Sequence, residues 1–300
     1  MRLNRLAAPF AAISIVLAAS CGDSEDVDVS ASTTASSDQS AASTTSAAGG
    51  SIDKPTVSIP AELPTELVIT DLVEGTGAAA AEGDTVLVHY VGVRSADGTE
   101  FDNSFDRGEP FSVTLGRGGV IPGWEQGLVG VKGGGRRQLD IPADLAYGDQ
   151  PQGDVIQAGD ALSFVIDTLV VVPPSDLADA PVDPVPTSNG AEALTTEDVA
   201  VGDGPAVVDG STVFVEIVAY RGDTAEEINT TWGAGGPVSL TVSPDATLPG
   251  LYEGLLGMKA GGRRLMTMPP SAAFGDGGNE ELGLPAGTDL VLVVDVVALY

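Results

Sequence analysis

The sequence predicts an α+β fold made twice: two tandem domains, each an antiparallel β-sheet wrapped around one short helix. Three observations predict it. Apolar residues recur with period two over short runs, the pattern of half-buried strands. No alternation of strands with long helical segments appears, which argues against a parallel sheet. Residues 122–137 (PGWEQGLVGVKGGGRR) return at 249–264 (PGLYEGLLGMKAGGRR) with ten of sixteen positions identical at an offset of 127. A period of that length is a duplicated domain rather than a solenoid, whose units run about 20–50 residues.

Taken in chain order, Arg2 and Arg5 precede an apolar run from Leu6 to Ala19. The run is shorter than the roughly 20 residues of a spanning helix and has the length of a signal-peptide core. It ends in Ala18-Ala19-Ser20 directly before Cys21, the only cysteine of 300 residues. That arrangement resembles a bacterial lipoprotein signal, in which Cys21 receives the lipid and becomes the mature N-terminus. An ordinary secretory signal with an incidental cysteine is the alternative. Residues 1–20 are thus expected to be a signal peptide, and 21–60 a tether. Within 22–51, 19 of 30 residues are Ser, Thr or Ala, with five acids and no base, too little apolar surface to offset ordering.

The first domain is expected at 61–172. Its strands read at about 66–74, 84–92, 98–102, 111–115, 135–141 and 161–171, with one helix over 123–129 opened by Pro122-Gly123. A proline-rich linker follows at 173–190, with Pro173, Pro174, Pro181, Pro184 and Pro186 favouring an extended spacer. The second domain is expected at 191–300. The offset continues through AYGD (146–149) and AFGD (273–276), and one extra residue enters before the last strand.

Composition narrows the chemistry. With 43 acidic and 13 basic residues the formal charge is −30, so binding nucleic acid through phosphate neutralisation is excluded and anionic lipid would repel the chain. One cysteine rules out an intramolecular disulfide and a cysteine-based zinc site, and one histidine makes histidine-rich metal sites and a Ser-His-Asp triad poor prospects. His89 alternates with Tyr90 on a strand and reads as a packed or edge residue. Lys132 to Arg136 is glycine-rich but lacks the Gly-Lys-Ser/Thr ending of a phosphate loop. Arg221-Gly222-Asp223 reads as a chance triplet, and Asn229-Thr230-Thr231 is a glycosylation sequon that most bacteria cannot use.

The first domain carries Tyr90, Phe101, Phe105, Phe111, Trp124, Tyr147 and Phe164. Four segments, VLVHYVG (86–92), EFDNSFDRGEPF (100–111), GVIPGWEQGL (119–128) and IPADLAYGD (141–149), resemble the FKBP-type peptidyl-prolyl cis–trans isomerases over essentially all of 61–172. The resemblance implies an apolar cage of Tyr90, Phe101, Phe111, Val120, Ile121, Trp124 and Phe164, with Trp124 as the floor under a substrate proline. It implies Asp102 as the lone polar group of the wall, and the Tyr147 hydroxyl and Ile121 N–H as donors to substrate carbonyls. Ile156 would line the flap. Where the family often has His then Pro in that flap, this chain has Gln152 and Gly153, which bears on substrate preference. Such a site needs no cofactor and no metal.

At the same offset the second domain replaces these groups. Tyr90 becomes Ile217, Phe101 Ile228, Asp102 Asn229, Phe111 Val238, Val120 Thr247, Ile121 Leu248, Trp124 Leu251, Tyr147 Phe274 and, after the insertion, Phe164 becomes Leu292. The expectation is an exported isomerase, lipid-anchored on the outer face of the cytoplasmic membrane, active in its first domain and assisting the folding of proline-containing exported proteins. Macrolides such as rapamycin are possible ligands by resemblance. The rival expectation is a non-catalytic module or holdase that grips proline-containing segments.

Overall fold

The computed structural model describes residues 53–182, 185–233 and 236–300. The expected signal peptide, Cys21 and the tether through residue 52 lie outside the described residues. The first unit runs β1 (Val68–Val73), β2 (Thr85–Arg94), β3 (Glu100–Asn103), β4 (Phe111–Thr114), α1 (Pro122–Gly127), β5 (Arg136–Ile141) and β6 (Leu162–Val172). Each expected strand forms. The sheet order is β1-β5-β6-β2-β3, with β4 also paired to β2, and every pairing is antiparallel. In β2 buried and partly buried residues alternate along the first half. The central β6 is buried on both faces for most of its length.

Helix α1 has Pro122 in its first turn, where a missing N–H costs nothing. Six residues are too few to be helical alone, so packing holds them. A Cβ at Gly127 would lie 2.6 Å from Leu139 Cδ1, so the glycine lets the helix backbone press directly onto β5. Arg137 Nη1 donates to the Gly127 and Val129 carbonyls at 2.8 and 3.0 Å. Its Nε pairs with Asp71 at 2.6 Å. A cation at the helix C-terminus meets the unsatisfied carbonyls and the negative end of the dipole.

The second unit repeats this plan: β7 (Thr195–Ala200), β8 (Thr212–Arg221), β9 (Glu227–Thr230), β10 (Val238–Thr241), α2 (Pro249–Leu255), β11 (Gly262–Met268) and β12 (Leu290–Leu299), in the order β10-β8-β12-β11-β7 with β9 on β8. Arg264 repeats the helix cap on Gly254 and the ion pair with Asp198. The inner core of each unit lies between sheet and helix. In the first it includes Leu128, Leu139, Ile141, Leu162 and Ile166, and in the second Leu255, Met266, Met268 and Leu290.

The outer face of each sheet carries a strap from the preceding chain. Lys54 pairs with Glu100 and Asp106 at 2.9 and 3.1 Å, and Gln138 donates to the Ser58 carbonyl at 2.8 Å. In the second unit Arg263 donates to the Asp179 carbonyl at 2.8 Å. Buried Asp289 accepts from Ser188 Oγ at 2.7 Å and from Ala191 N at 2.9 Å. Ala180 and Val185 cover Val218, Tyr220, Trp232, Val291 and Val293. Ser175 and Thr231 both donate to Glu216, which is 1% exposed. The two units touch through an apolar cluster of Val170, Val172, Phe214 and Ala298, with Leu87, Val297 and Tyr300 packed against it.

Candidate functional site

The first unit gathers its aromatic residues between β2, β3, β4, β6 and α1. Tyr90 stands on the inner face of β2, and alternation along the strand keeps His89 and Val91 on the other face. Trp124, in the first turn of α1, is 4% exposed. Its ring meets Tyr90, Phe164 and Phe111 edge-on, with centroids at 5.1, 5.3 and 6.1 Å. Phe111 also meets Tyr90 at 5.8 Å, and Phe101 meets Phe164 at 5.6 Å. Edge-to-face pairs at these separations place the positive ring edge on a negative ring face. Tyr90, Trp124, Ile156 and Phe164 are buried, while Phe111, 39% exposed, stands at the rim. Phe101, Val120 and Ile121 pack partly buried against the same cluster. The structure thus brings Tyr90, Phe101, Phe111, Val120, Ile121, Trp124, Ile156 and Phe164 together.

The polar wall is Asp102. Its carboxylate accepts from the Tyr90 hydroxyl and from Arg107. Arg107 Nη2 donates to the same hydroxyl at 2.8 Å, and its guanidinium carbon lies 5.5 Å from the Tyr90 ring centre. Burial, and then the bond to Asp102, push the Tyr90 hydroxyl up to about 12, so it remains a proton donor at neutral pH. Arg107 was not anticipated as part of the site. Its signal was present, since it stands five residues after Asp102 within the EFDNSFDRGEPF segment.

The rim is held by backbone geometry. Glu125 accepts from Gly116 N and Gly118 N, both at 2.7 Å, and so ties α1 to the loop that carries Val120 and Ile121. Ile121 is the N-cap of α1, and its carbonyl accepts from Trp124 N at 2.9 Å and Glu125 N at 3.2 Å. Gln152 and Ile156 bond reciprocally at 3.0 and 3.2 Å, closing the tip that seats Ile156. Tyr147 is 37% exposed, and no acceptor for its hydroxyl occurs among the described residues. The Trp124 Nε1–H is buried and likewise without a partner.

The profile of the FKBP-type peptidyl-prolyl cis-trans isomerase family matches residues 77–169 and again residues 204–297. The chain belongs to that family. It is 52% identical over 123 residues to an FK506-binding protein of Streptomyces anulatus, covering 40% of this chain and 99% of that one. It is 30% identical over 239 residues to the human peptidyl-prolyl cis-trans isomerase FKBP10, covering 78% of this chain but only 37% of the relative. The crystal structure of FkpA from Escherichia coli aligns with 41% identity over 40% of this chain and 53% of that one, with a TM-score of 0.33.

This FKBP-type isomerase carries a second, altered copy of the site. Ile217, Leu248, Leu251, Leu284 and Leu292 form a buried aliphatic cluster, with Ile228 and Phe274 packed against it. The backbone support is retained: Ile217 N donates to Thr231 Oγ1 at 2.8 Å, as Tyr90 N does to Ser104 Oγ at 2.9 Å. No ring contact occurs within this cluster among the described residues. In the first unit the arrangement supplies an apolar aromatic surface, one carboxylate fixed by two donors and a free hydroxyl. No described group of three or more His, Cys, Asp or Glu is placed to hold a metal ion.

Proposed function

We propose that the first unit is the catalytic one and that it isomerises the peptide bond preceding proline in unfolded chains. The observation that carries this reading is the enclosure of Trp124 by Tyr90, Phe111 and Phe164, set against the aliphatic filling of the same place in the second unit. A planar amide is resonance-stabilised and polar, and rotating it costs about 18–20 kcal/mol. The twisted transition state has lost that resonance, and its carbonyl is less dipolar. A dry ring-lined cage therefore disfavours the planar form more than the twisted one. The proline ring would rest on Trp124, with Tyr147 Oη and Ile121 N donating to flanking carbonyls and Asp102 oriented by Tyr90 and Arg107.

The second unit would be non-catalytic, since it offers neither ring floor nor hydroxyl at these positions. Macrolides of the rapamycin type would compete for the first cage. In the cell the protein would act on exported proteins, anchored through a lipid on Cys21 at the outer face of the cytoplasmic membrane. The support for that location is the basic start, the short apolar run and the single cysteine after it.

The deciding experiment is a protease-coupled proline-peptide assay on the full chain, comparing Trp124→Ala with Leu251→Ala. Activity lost in the first variant and kept in the second supports the assignment, and the reverse outcome overturns it. For location, Cys21→Ser should release the protein from the membrane fraction or leave it unprocessed, and unchanged membrane association would sink the anchor.

A further inference from the structure

Gly92 lies two residues beyond Tyr90 on β2, so both face the cage. It pairs with Phe164 of β6 on one side and with Asp102 of β3 on the other. A Cβ built at Gly92 would lie 2.7 Å from Phe164 Cε1 and 2.8 Å from Phe101 Cζ, closer than carbon atoms approach without bonding. Both rings therefore stand in space that exists only because residue 92 has no side chain. Phe164 passes that placement on, because its ring bears on Trp124 at 5.3 Å and on Tyr90 at 6.4 Å.

The second unit supplies the complementary case within the same chain. At the same register Ala219 pairs with Leu292 and with Asn229. It is buried, and the positions of the two rings are held by Leu292 and Ile228. Glycine with two phenylalanines in one unit answers alanine with leucine and isoleucine in the other. The three positions form one steric set, in which a methyl on the strand and rings above it exclude each other.

We propose that Gly92 is a positioning residue for the isomerase site. It sets the depth at which Phe101 and Phe164 stand, and a single methyl at this place on the strand is enough to spoil the cage, as Ala219 does for the second unit. The second unit is then locked out of ring-based chemistry by its strand as well as by its missing rings. This rests on the reading of the first-unit cage as the catalytic site.

The test uses the full chain and measures kcat and KM on a proline peptide together with thermal unfolding. Gly92→Ala should lower kcat/KM at least tenfold, with the loss falling mainly on KM because the displaced rings occupy the proline position. Introducing the second unit's whole set, Gly92→Ala with Phe101→Ile and Phe164→Leu, should restore the melting temperature but leave kcat/KM low. Activity of Gly92→Ala within twofold of wild type overturns the proposal. So does a triple variant that melts no higher than the single one. The reciprocal pair guards against a single variant that fails to fold: Ile228→Phe with Leu292→Phe should melt lower than the same pair combined with Ala219→Gly, and equal melting refutes the steric set. Trp124→Ala is assayed alongside. If it leaves kcat/KM unchanged, the site reading fails, whereas the melting comparisons still decide the steric claim.

Discussion

Replacing Trp124 by leucine imports the residue that the second unit carries at this place. Two costs follow, and they separate. The indole makes three edge-to-face contacts, with Tyr90, Phe164 and Phe111. Each such pair is worth about 0.5–1.5 kcal/mol beyond its area. Leucine keeps apolar contact there, as Leu251 does in the second core, so the loss should sit near the low end of that sum, at roughly 2 kcal/mol. At about 4–8 °C per kcal/mol for a domain of this size, the first unit should melt some 8–16 °C lower. The catalytic cost has a different origin. Three ring methylenes of a bound proline gain about 0.8 kcal/mol each when buried. A leucine floor covers about half of that ring, so roughly 1.2 kcal/mol is forfeited, close to tenfold in kcat/KM. The assay is proline-peptide isomerisation at a temperature well below both melting points, with differential scanning calorimetry in parallel. A variant that melts as expected yet keeps full kcat/KM would show that proline does not rest on residue 124.

Three further outcomes follow. Glu125→Ala frees the Gly116 and Gly118 amides and loosens the loop bearing Ile121; removing two charge-assisted bonds should lower kcat/KM several-fold with helix α1 intact, and an unchanged rate would mean the loop needs no tie. The second unit expressed from residue 174 should bury Trp232, whereas expression from residue 191 strips away Ala180, Val185 and the Ser188 bond to Asp289; tryptophan emission should shift to the red only in the shorter chain, and identical spectra would refute the strap. His89, the sole histidine, is lowered from its usual value by burial, so the fold resists protonating it. Its contribution is fully present above about pH 6.5 and declines as pH falls through that value toward the lower folded pKa; proton NMR of the one imidazole pair tests this, and a midpoint above 6.5 would contradict it.

The strands were legible because alternation is a local signal. β2 carries it along its first half, β6 shows instead the continuous apolar run of a strand buried on both faces, and the repeat at an offset of 127 reported the same sheet a second time. The ring cage was legible only through the four segments that resemble a known family, since seven aromatics in a β-rich domain are by themselves core material. Arg107 and Glu125 escaped notice because their roles are set by what they reach. One spans five residues to a carboxylate and a hydroxyl, and the other turns back to two backbone amides. Gly92 escaped for the opposite reason, because an absent side chain leaves no chemical trace in the sequence. The straps at 53–58, 175–182 and 185–191 were hidden too, since proline-rich and polar segments read alike whether they lie on a sheet or stand in water.

The central place of β6 has a consequence for how the protein is born. The strand made last in the first unit is the one that must enter between β5 and β2, pairing Arg94 with Leu162 and Thr85 with Val172. Until it emerges, β1 and β5 have no partner to join them to β2, and the enclosure around Trp124 cannot close. At about 5–20 residues per second, the roughly 70 residues between the end of β2 and the start of β6 correspond to about 4–14 s of synthesis. For that interval β2 can pair only with β3 and β4, and its β6-facing edge stays open; the second unit repeats the wait of β8 for β12. The excess of acidic over basic residues, 43 to 13 over the full chain, favours repulsion between neighbouring copies. The topology thus keeps each sheet in two separate parts until its final strand is available to join them.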